Sequence, residues 1–337
     1  MAPLPITLAC GPYDRTRALA DGRVTVAGAD LRYIPLEPEE IFFRMVTNGE
    51  FDVSEMSMAT YFVTREKGAP FVGIPVFPSR MFRHTGVYAN TSRMPEAVSG
   101  VSAAAAAGAL AGKTVGVAEW QLTANVWIRG ILADHYGVPV ASPCYRTGGL
   151  NAPGRHEKVA LSLPPEIRIS PIGSGQTLSD LLAAGEIDAL YTPRAPESFG
   201  KEASVARLFA DARAEEERYF ATTGIFPIMH VIVIHERVYE KNPWIARELM
   251  KSFSAAKQVA YAELARGASL SISLPFALEE YEAAVATMGA DYWAYGLEPN
   301  RHVLSAFARY AADQHLVSKQ FAPEELFAPE AGESFIV

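Results

Sequence analysis

The sequence predicts an α/β protein of two lobes, with mostly parallel sheets and a central cleft. Along its 337 residues, short apolar runs alternate with amphipathic segments of helical period, a pattern typical of parallel sheets with connecting helices. The alternation pauses over residues 90–111, which are rich in Ala, Gly and Ser, and then starts again. One motif also occurs in each half, as NGEFDV at residues 48–53 and AGEIDA at residues 184–189. Together these observations indicate two lobes of similar construction.

The first half opens with a strand over residues 6–10, an apolar run that a Gly-Pro pair ends. Residues 39–47 place their apolar side chains on one helical face, and the following Asn-Gly pair ends that helix. The other elements follow from the same two kinds of signal. The predicted strands are residues 6–10, 31–34, 51–53, 72–76 and 85–89, and the helices start near Asp14 and cover residues 39–47 and 57–66.

The second half repeats this order. A long helix over residues 122–136 ends at Gly137, with Pro139 just beyond it. A second long amphipathic helix covers residues 243–265 and has Pro243 in its first turn. The predicted strands of this half are residues 114–118, 168–172, 189–191 and 230–234, and the remaining helices are residues 178–184 and most of 276–310.

The chain length suggests two domains, because a typical domain has roughly 150 residues. The strand over residues 230–234 is expected to return to the sheet of the first half, so the lobes are interleaved along the chain. We therefore expect lobe 1 to consist of residues 1–111 and 222–337, and lobe 2 of residues 112–221.

The charge balance excludes one class of partner. With 30 Lys and Arg against 38 Asp and Glu, the net charge is −8, whereas a nucleic-acid-binding protein needs a basic surface to neutralise phosphates. An anionic small molecule is not excluded, since a few Arg side chains can outweigh the total charge locally. No apolar run approaches the ~20 residues of a membrane span, so no membrane partner is expected.

Further expectations concern compartment and assembly. Cys10 and Cys144 fit neither a metal-ligand spacing nor a CxxC motif. The first ten residues carry two prolines and no positive side chain, unlike an export signal, so a cytoplasmic location is expected. The C-terminal repeat, FAPE at residues 321–324 and again at 327–330, is expected to pack on its own lobe. A tail that packs on a neighbouring subunit of a homo-oligomer is the open alternative.

Ligands of open α/β sheets bind beyond the carboxyl ends of the strands. That rule selects six stretches of this chain without any knowledge of its function. They are residues 11–15, 54–57, 78–84, 119–123, 191–194 and the entry to the return strand at 226–230.

The first two stretches carry carboxylates beside a cation. Asp14 is either a helix N-cap or an acceptor for a phenolic proton, and Arg15 can hold a carboxylate with its two-pronged guanidinium. Glu55 follows a strand that should be buried, so its carboxylate is paired, caps a helix, or belongs to a site. Ser57 closes the second stretch and is included as a binding residue.

The third stretch is the densest cationic segment in the chain, with Arg80, Arg83 and His84 between two apolar strands. A charge run is usually a solvated face, but aromatic residues interrupt this one, which favours a site. His84 has a ring suited to proton transfer near neutral pH. His230 lies where the chain returns to the first sheet. It is a second candidate, with a structural role as the alternative.

The second half contributes three more candidates. Tyr191 ends the strand of the repeated motif, and Arg194 follows it in the position that Glu55 holds in the first half. Glu119 lies before a helix whose free N–H groups favour an anion. His84, His230, Asp14 and Glu55 could assemble a metal site, but their spacing gives this little support, and we predict none.

At these stretches the sequence resembles the bacterial 4,5-dihydroxyphthalate decarboxylase family, itself similar in fold to type-2 periplasmic solute-binding proteins. The resemblance spans nearly the whole chain and is weakest at residues 102–109 and 151–162. It is carried by LACGPYDRT (8–16), PEEIFFRM (38–45), FDVSEMS (51–57), IPVFPSRMFRH (74–84), VWIRGIL (126–132), GEIDALY (185–191), GIFPIMH (224–230) and PEELFAPE (323–330).

The resemblance implies non-oxidative loss of one carboxylate from 4,5-dihydroxyphthalate, which gives protocatechuate. Such a dianion calls for cationic partners, and we expect Arg15, Arg80 and Arg194, with Arg83 in reserve. A base, Glu55 or Asp14, would take a proton from the catechol, and His84 would protonate the ring carbon that loses CO₂. No organic cofactor is needed in this scheme, and a divalent metal bound to the catechol is left open.

Two alternatives share this fold, so the fold cannot decide between them. One is a solute-binding protein that delivers an aromatic carboxylate to a transporter or sensor. The other is a decarboxylase of a related hydroxylated aromatic acid, since a few pocket side chains would change the substrate.

Overall fold

The computed structural model describes residues 2–155, 157 and 162–332, which form two compact units. Unit 1 holds the described residues of 1–80, 228–306 and 321–337, and unit 2 holds those of 81–227 and 307–320. Residues 81–111, 222–227 and 307–320, which the sequence places in lobe 1, therefore belong to unit 2.

The eleven strands named here lie in the described ranges. They are β1 Leu4–Cys10, β2 Ala29–Pro35, β3 Val53–Ser57, β4 Phe71–Arg80, β5 Val87–Asn90, β6 Thr114–Val117, β7 Cys144–Thr147, β8 Ile169–Pro171, β9 Ala189–Tyr191, β10 Val205–Arg207 and β11 Ile228–His235.

The helices alternate with these strands. They are α1 Asp14–Ala20, α2 Pro38–Asn48, α3 Met58–Glu66, α4 Ala103–Gly108, α5 Thr123–Tyr136, α6 Leu178–Ala184, α7 Ala212–Thr223, α8 Glu236–Tyr239, α9 Trp244–Leu264, α10 Ala277–Met288 and α11 Arg301–Asp313. In the part of the chain that the structure describes, none of them is both long and apolar enough to cross a membrane.

Unit 1 is built on a five-stranded sheet of order β2-β1-β3-β11-β4. β1 is parallel to β2 and β3, whereas the return strand β11 is antiparallel to both β3 and β4. Its register places His230 opposite Ser57 on one side and Ser79 on the other. The ends of β1, β3 and β4 and the start of β11 therefore meet at one edge of the sheet, as the strand-end rule requires.

Unit 2 is built on a six-stranded sheet of order β10-β5-β9-β6-β7-β8. β6 is parallel to β7 and β9, and β5 pairs antiparallel with β9 and β10. This pairing explains why residues 81–111 belong to unit 2: β5 is a strand of its sheet. Both sheets are mixed, and the predicted α/β class is confirmed.

The repeated motif has the same structure in both units. Gly49 and Gly185 end α2 and α6 with left-handed φ angles of 57° and 72°, which glycine adopts without strain. The motif's Asp then ties the next strand to its parallel neighbour. Asp52 accepts hydrogen bonds from the backbone N–H and the hydroxyl of Thr7, at 3.0 and 2.9 Å. Asp188 accepts one from the backbone N–H of Thr114 at 2.8 Å.

The C-terminal repeat packs on unit 1 of its own chain. The Tyr61 hydroxyl donates a hydrogen bond to the carbonyl of Leu326, and the backbone N–H of Ala328 donates one to Gly73 at 2.9 Å. Phe321 packs edge-on against Phe62, with ring centroids 5.8 Å apart. These contacts agree with the expectation that the repeat packs on its own lobe.

Candidate active site

Glu55 is a buried carboxylate that several protein donors surround. It lies in β3, between β1 and β11, with 0% of its surface exposed. Its Oε2 accepts hydrogen bonds from the Gly11 N–H at 2.9 Å and the Cys10 thiol at 3.6 Å. Its Oε1 accepts one from the Tyr13 hydroxyl at 2.7 Å and lies 2.5 Å from Nδ1 of His230. Both carboxylate oxygens therefore already have protein donors.

These donors keep Glu55 ionised. Burial by itself raises the pKa of a carboxyl group. Here the charge of His230 and the hydrogen bonds from His230, Gly11 and Tyr13 outweigh it, so the pKa of Glu55 is lowered. An ionised carboxylate whose oxygens are occupied is a poor proton acceptor for a substrate. It is well suited to hold an imidazole in place.

His230 is the partner that Glu55 orients. Its Nδ1 faces the carboxylate, its ring packs edge-on against Phe42 with centroids 4.9 Å apart, and its side chain is 19% exposed. Its Nε2 makes no hydrogen bond to any residue that the structure describes. An imidazole can transfer a proton through Nε2 when a carboxylate holds its Nδ1 and Nε2 has no protein partner.

Gly11 makes this cluster possible. A side chain at Gly11 would place its Cβ 2.7 Å from the Tyr13 ring, so only glycine allows that ring to lie against the backbone and reach Glu55. Burial, followed by the nearby charge of Glu55, raises the pKa of both Tyr13 and Cys10. Both groups therefore stay protonated at neutral pH and donate to the carboxylate.

Arg15 is held between two aromatic rings. Its guanidinium carbon lies 4.3 Å from the centroid of Tyr13 and 4.0 Å from that of Trp293. Nε donates to the carbonyl of Pro78 at 2.6 Å and Nη1 to Oδ1 of Asp14 at 3.0 Å. Within the described residues Nη2 has no hydrogen-bond partner. A pre-oriented guanidinium with an open Nη2 amino group is suited to a carboxylate.

Asp14 is the first residue of α1, and Tyr13 is the N-cap, so the interpretation of Asp14 as N-cap is wrong. Its Oδ1 accepts hydrogen bonds from the backbone N–H of Arg15, at 2.7 Å, and from its side chain. Its Oδ2 receives none from a described residue. Asp14 therefore orients Arg15 and keeps one oxygen available.

Arg80 ends β4 and is 6% exposed. Nη2 donates to the carbonyl of Ala294 at 2.7 Å and also to Oδ1 of Asn300. Burial lowers the pKa of Arg80 to about 10, so it stays charged at neutral pH.

Ser57, 9% exposed, lies opposite His230 at the end of β3. Unit 1 thus brings together six predicted site residues: Asp14, Arg15, Glu55, Ser57, Arg80 and His230.

His84 lies inside unit 2. It is 2% exposed, and the rings of Tyr136, Phe209 and Tyr219 surround it at centroid distances of 5.8, 5.2 and 5.5 Å. Neither ring nitrogen has a hydrogen-bond partner among the described residues. Burial lowers the pKa of His84 to about 4, so it is neutral at pH 7. This environment does not favour the acid role predicted for it.

The other predicted residues of unit 2 have separate surroundings. Arg83 is 6% exposed, and burial lowers its pKa to about 10. Arg194 is exposed, and its backbone N–H donates to the Thr192 hydroxyl at 3.2 Å. Tyr191 is 1% exposed, and Glu119 forms an ion pair with Arg155 at 2.6 Å. The binding roles predicted for these four residues stay predictions.

Sequence reasoning missed the partners that hold the two cations. Trp293 covers Arg15, and Asn300 and the Ala294 carbonyl bind Arg80. All three lie between α10 and α11, within a stretch that was predicted to be mainly helical. Among the described residues, no group of three or more His, Cys, Asp or Glu side chains is placed to hold a metal ion.

Two curated relatives and a solved structure are similar to the chain. A 4,5-dihydroxyphthalate decarboxylase of Comamonas testosteroni is 38% identical over 337 residues, which is 99% of each protein. One of Pseudomonas putida is 38% identical over 222 residues, covering 65% of this chain and 83% of that protein. No protein-family model matches the chain.

The fold is also similar to that of a solved binding protein. The periplasmic aliphatic sulphonate binding protein SsuA from Escherichia coli superposes with a TM-score of 0.51 over 97% of this chain and 98% of its own. The sequences are 13% identical, so the likeness concerns the fold alone. It confirms a type-2 periplasmic-binding-protein-like α/β fold.

Proposed function

Because the chain belongs to the 4,5-dihydroxyphthalate decarboxylase family, we propose that this carboxy-lyase converts 4,5-dihydroxyphthalate to protocatechuate and CO₂. The reaction would serve the breakdown of aromatic compounds. The observation that carries the proposal is the Glu55–His230 pair, whose open Nε2 lies at the same sheet edge as the clamped Arg15.

Arg15 is proposed to hold the carboxylate that the product keeps. Its Nη2 has no hydrogen-bond partner among the described residues. Two aromatic rings and two hydrogen bonds hold the rest of the guanidinium in place. The Arg15 side chain therefore loses little conformational entropy when the substrate binds, and this loss does not offset the attraction between the guanidinium and the carboxylate. Arg80 supplies a second buried positive charge in the same unit, which suits a substrate with two negative charges.

His230 is proposed to act as the acid, in place of His84. Its Nε2–H donates a proton to the ring carbon that carries the leaving carboxylate. The C–C bond then breaks, CO₂ departs, and its electron pair restores the aromatic ring. His230 regains a proton from solvent, so the net reaction consumes one proton and forms one C–H bond. Glu55 stays ionised throughout and stabilises the protonated imidazole.

Asp14 is proposed as the base, in place of Glu55. Its Oδ2 is the carboxylate oxygen of this cluster that has no hydrogen bond from a described residue. Accepting the proton of the catechol hydroxyl para to the leaving group would raise electron density at the carbon to be protonated, and Asp14 would return that proton to the phenolate oxygen as CO₂ departs. These residues supply the proton transfers and the counter-charge, so the scheme needs neither an organic cofactor nor a metal. The cytoplasmic location and oligomeric state stay predictions.

Two substitutions test the acid–base assignment. We expect His230→Gln to lower kcat by about 10²- to 10⁴-fold, the usual contribution of a positioned acid. Glu55→Gln should lower kcat by about 10- to 100-fold with KM nearly unchanged, since it removes a partner of the acid rather than a substrate contact. CO₂ release and protocatechuate absorbance measure both, and Glu55→Asp should recover part of the loss.

His235→Gln is the matched control, because it changes the histidine at the other end of the same strand. Its turnover should equal that of the wild type. If His230→Gln and Glu55→Gln both kept near-normal turnover, the assignment would be wrong. If the wild type bound 4,5-dihydroxyphthalate stoichiometrically and released no CO₂, the chain would be a solute-binding protein instead.

A further inference from the structure

Tyr295 has a buried hydroxyl without a protein partner. The residue lies in unit 1 between α10 and α11 and is 7% exposed. Its phenol oxygen makes no hydrogen bond to any residue that the structure describes. Buried polar groups are almost always hydrogen-bonded, so this hydroxyl indicates a partner that is not part of the chain.

The segment that carries Tyr295 is fixed against β4. Trp293 Nε1 donates to the carbonyl of Phe77 at 2.8 Å, and the backbone N–H of Gly296 donates to Pro75 at 2.8 Å. Nζ of Lys257 lies 4.9 Å from the centroid of the Tyr295 ring. The position of the ring is therefore set by the fold, and its unpaired hydroxyl is not the result of a loose side chain.

The two residues that precede Tyr295 contact the two cations of the site. Two residues earlier, Trp293 stacks on Arg15 at 4.0 Å. One residue earlier, Ala294 accepts a hydrogen bond from Arg80 at 2.7 Å. Burial raises the pKa of Tyr295, and the charges that act on it include those of Arg15 and Arg80. At neutral pH the phenol is therefore protonated, a hydrogen-bond donor within the field of two guanidinium groups.

We propose that Tyr295 determines substrate specificity in this site, its hydroxyl donating a hydrogen bond to the same substrate carboxylate that Arg15 holds. An anionic oxygen is the acceptor that best suits a donor on which the positive charges of Arg15 and Arg80 act. His84 differs in this respect: its unpaired nitrogens face aromatic rings. The inference rests on the proposed function, because it names the group that recognises the aromatic dicarboxylate.

Tyr295→Phe tests the inference by removing the hydroxyl alone. Phthalate is the probe, because it carries both carboxylates of the proposed substrate and neither hydroxyl. Isothermal titration should show Kd for phthalate rising about 10- to 100-fold, as expected for a lost hydrogen bond to a charged group. kcat/KM for 4,5-dihydroxyphthalate should fall by a similar factor. The Tm without ligand should not fall, because the hydroxyl has no protein partner to lose.

Tyr239→Phe is the matched control, since its hydroxyl donates to Glu330 at 2.6 Å in the same unit. Its phthalate affinity should equal that of the wild type. Unchanged phthalate binding by Tyr295→Phe would overturn the inference. This holds even if the variant bound 4,5-dihydroxyphthalate more weakly, because the lost contact would then be to a ring hydroxyl and not to a carboxylate. If the wild type turned over its substrate and Tyr295→Phe matched it, this inference alone would fail. A wild type without turnover would overturn the proposed function and the inference with it.

Discussion

The role of a carboxylate depends on how many donors surround it, and Glu55 illustrates this. Its place after an apolar strand predicted a carboxylate that is paired, caps a helix, or belongs to a site, and the structure places it within β3 with 0% exposure. The sequence could not distinguish a base from a positioning residue. The donors that decide this, on Gly11, Tyr13 and His230, lie 44, 42 and 175 positions away, and their convergence follows from the sheet order.

Gly11→Ala is expected to disturb the site through sterics alone. Its Cβ would meet the Tyr13 ring at 2.7 Å, so the ring must move away from Glu55. We expect a loss of about 1–3 kcal/mol in the free energy of unfolding and a roughly 10-fold or greater fall in kcat/KM. Urea denaturation and turnover measure the two effects.

Gly108→Ala is the control, because nothing lies within 4 Å of a Cβ at that helical position. It should leave the turnover unchanged and should not lower stability. An active, fully stable Gly11→Ala variant would show that the Tyr13 ring can shift at no cost, and would contradict the steric argument.

His84 is expected to make the folded protein less stable in acid. Its pKa is lowered from 6.5 to about 4 by burial, so as the pH falls the unfolded chain binds a proton before the folded one. The contribution of neutral His84 to stability is complete above pH 6.5 and is lost between pH 6.5 and 4. A shift of this size corresponds to about 3 kcal/mol.

His84→Phe keeps an aromatic ring in the cluster and removes the titration. We expect the wild type to lose about 3 kcal/mol more than this variant between pH 7 and pH 4, measured as the free energy of unfolding at each pH. Parallel losses in the two proteins would mean that His84 is not the group responsible.

At the scale of elements, the repeated motif is the feature that the sequence revealed best. The structure shows why it occurs twice: each copy ends a helix, turns on a left-handed Gly, and uses its Asp to tie two parallel strands together. The segment between α10 and α11 was predicted least well. Its backbone and side chains bond to β4 rather than continuing a helix, and such a tertiary preference leaves no periodic signal in the sequence.

The Asp of each motif is therefore expected to be structural. Asp188→Ala would leave the Thr114 N–H without its acceptor and Arg93 without its ion partner. We expect a loss of about 1–3 kcal/mol in the free energy of unfolding, measured by chemical denaturation. Glu186→Ala removes the exposed carboxylate of the same motif and should change stability by less than about 0.5 kcal/mol. Equal effects of the two substitutions would contradict a specific role for Asp188.

At the scale of the whole molecule, the alternation of strands and helices predicted the α/β class, and the return of β11 predicted interleaved lobes. The division at residue 306 could not be predicted, because α11 is a single helix that the two units share. Its Phe307 and Tyr310 pack on Trp127 of unit 2. The net charge of −8 also conceals the buried cations of unit 1, so total charge was a weak guide to the sign of the ligand.

The position of β11 between β3 and β4 has a consequence for how the enzyme is made. β3 and β4 end by residue 80, yet the strand that lies between them starts at residue 228. During synthesis on the ribosome, the sheet of unit 1 lacks the strand that joins β3 to β4 until residues 81–227 have been made. Glu55 has no histidine to orient until residue 230 has been added. The nascent chain therefore acquires its proposed catalytic pair only after two thirds of it has been translated.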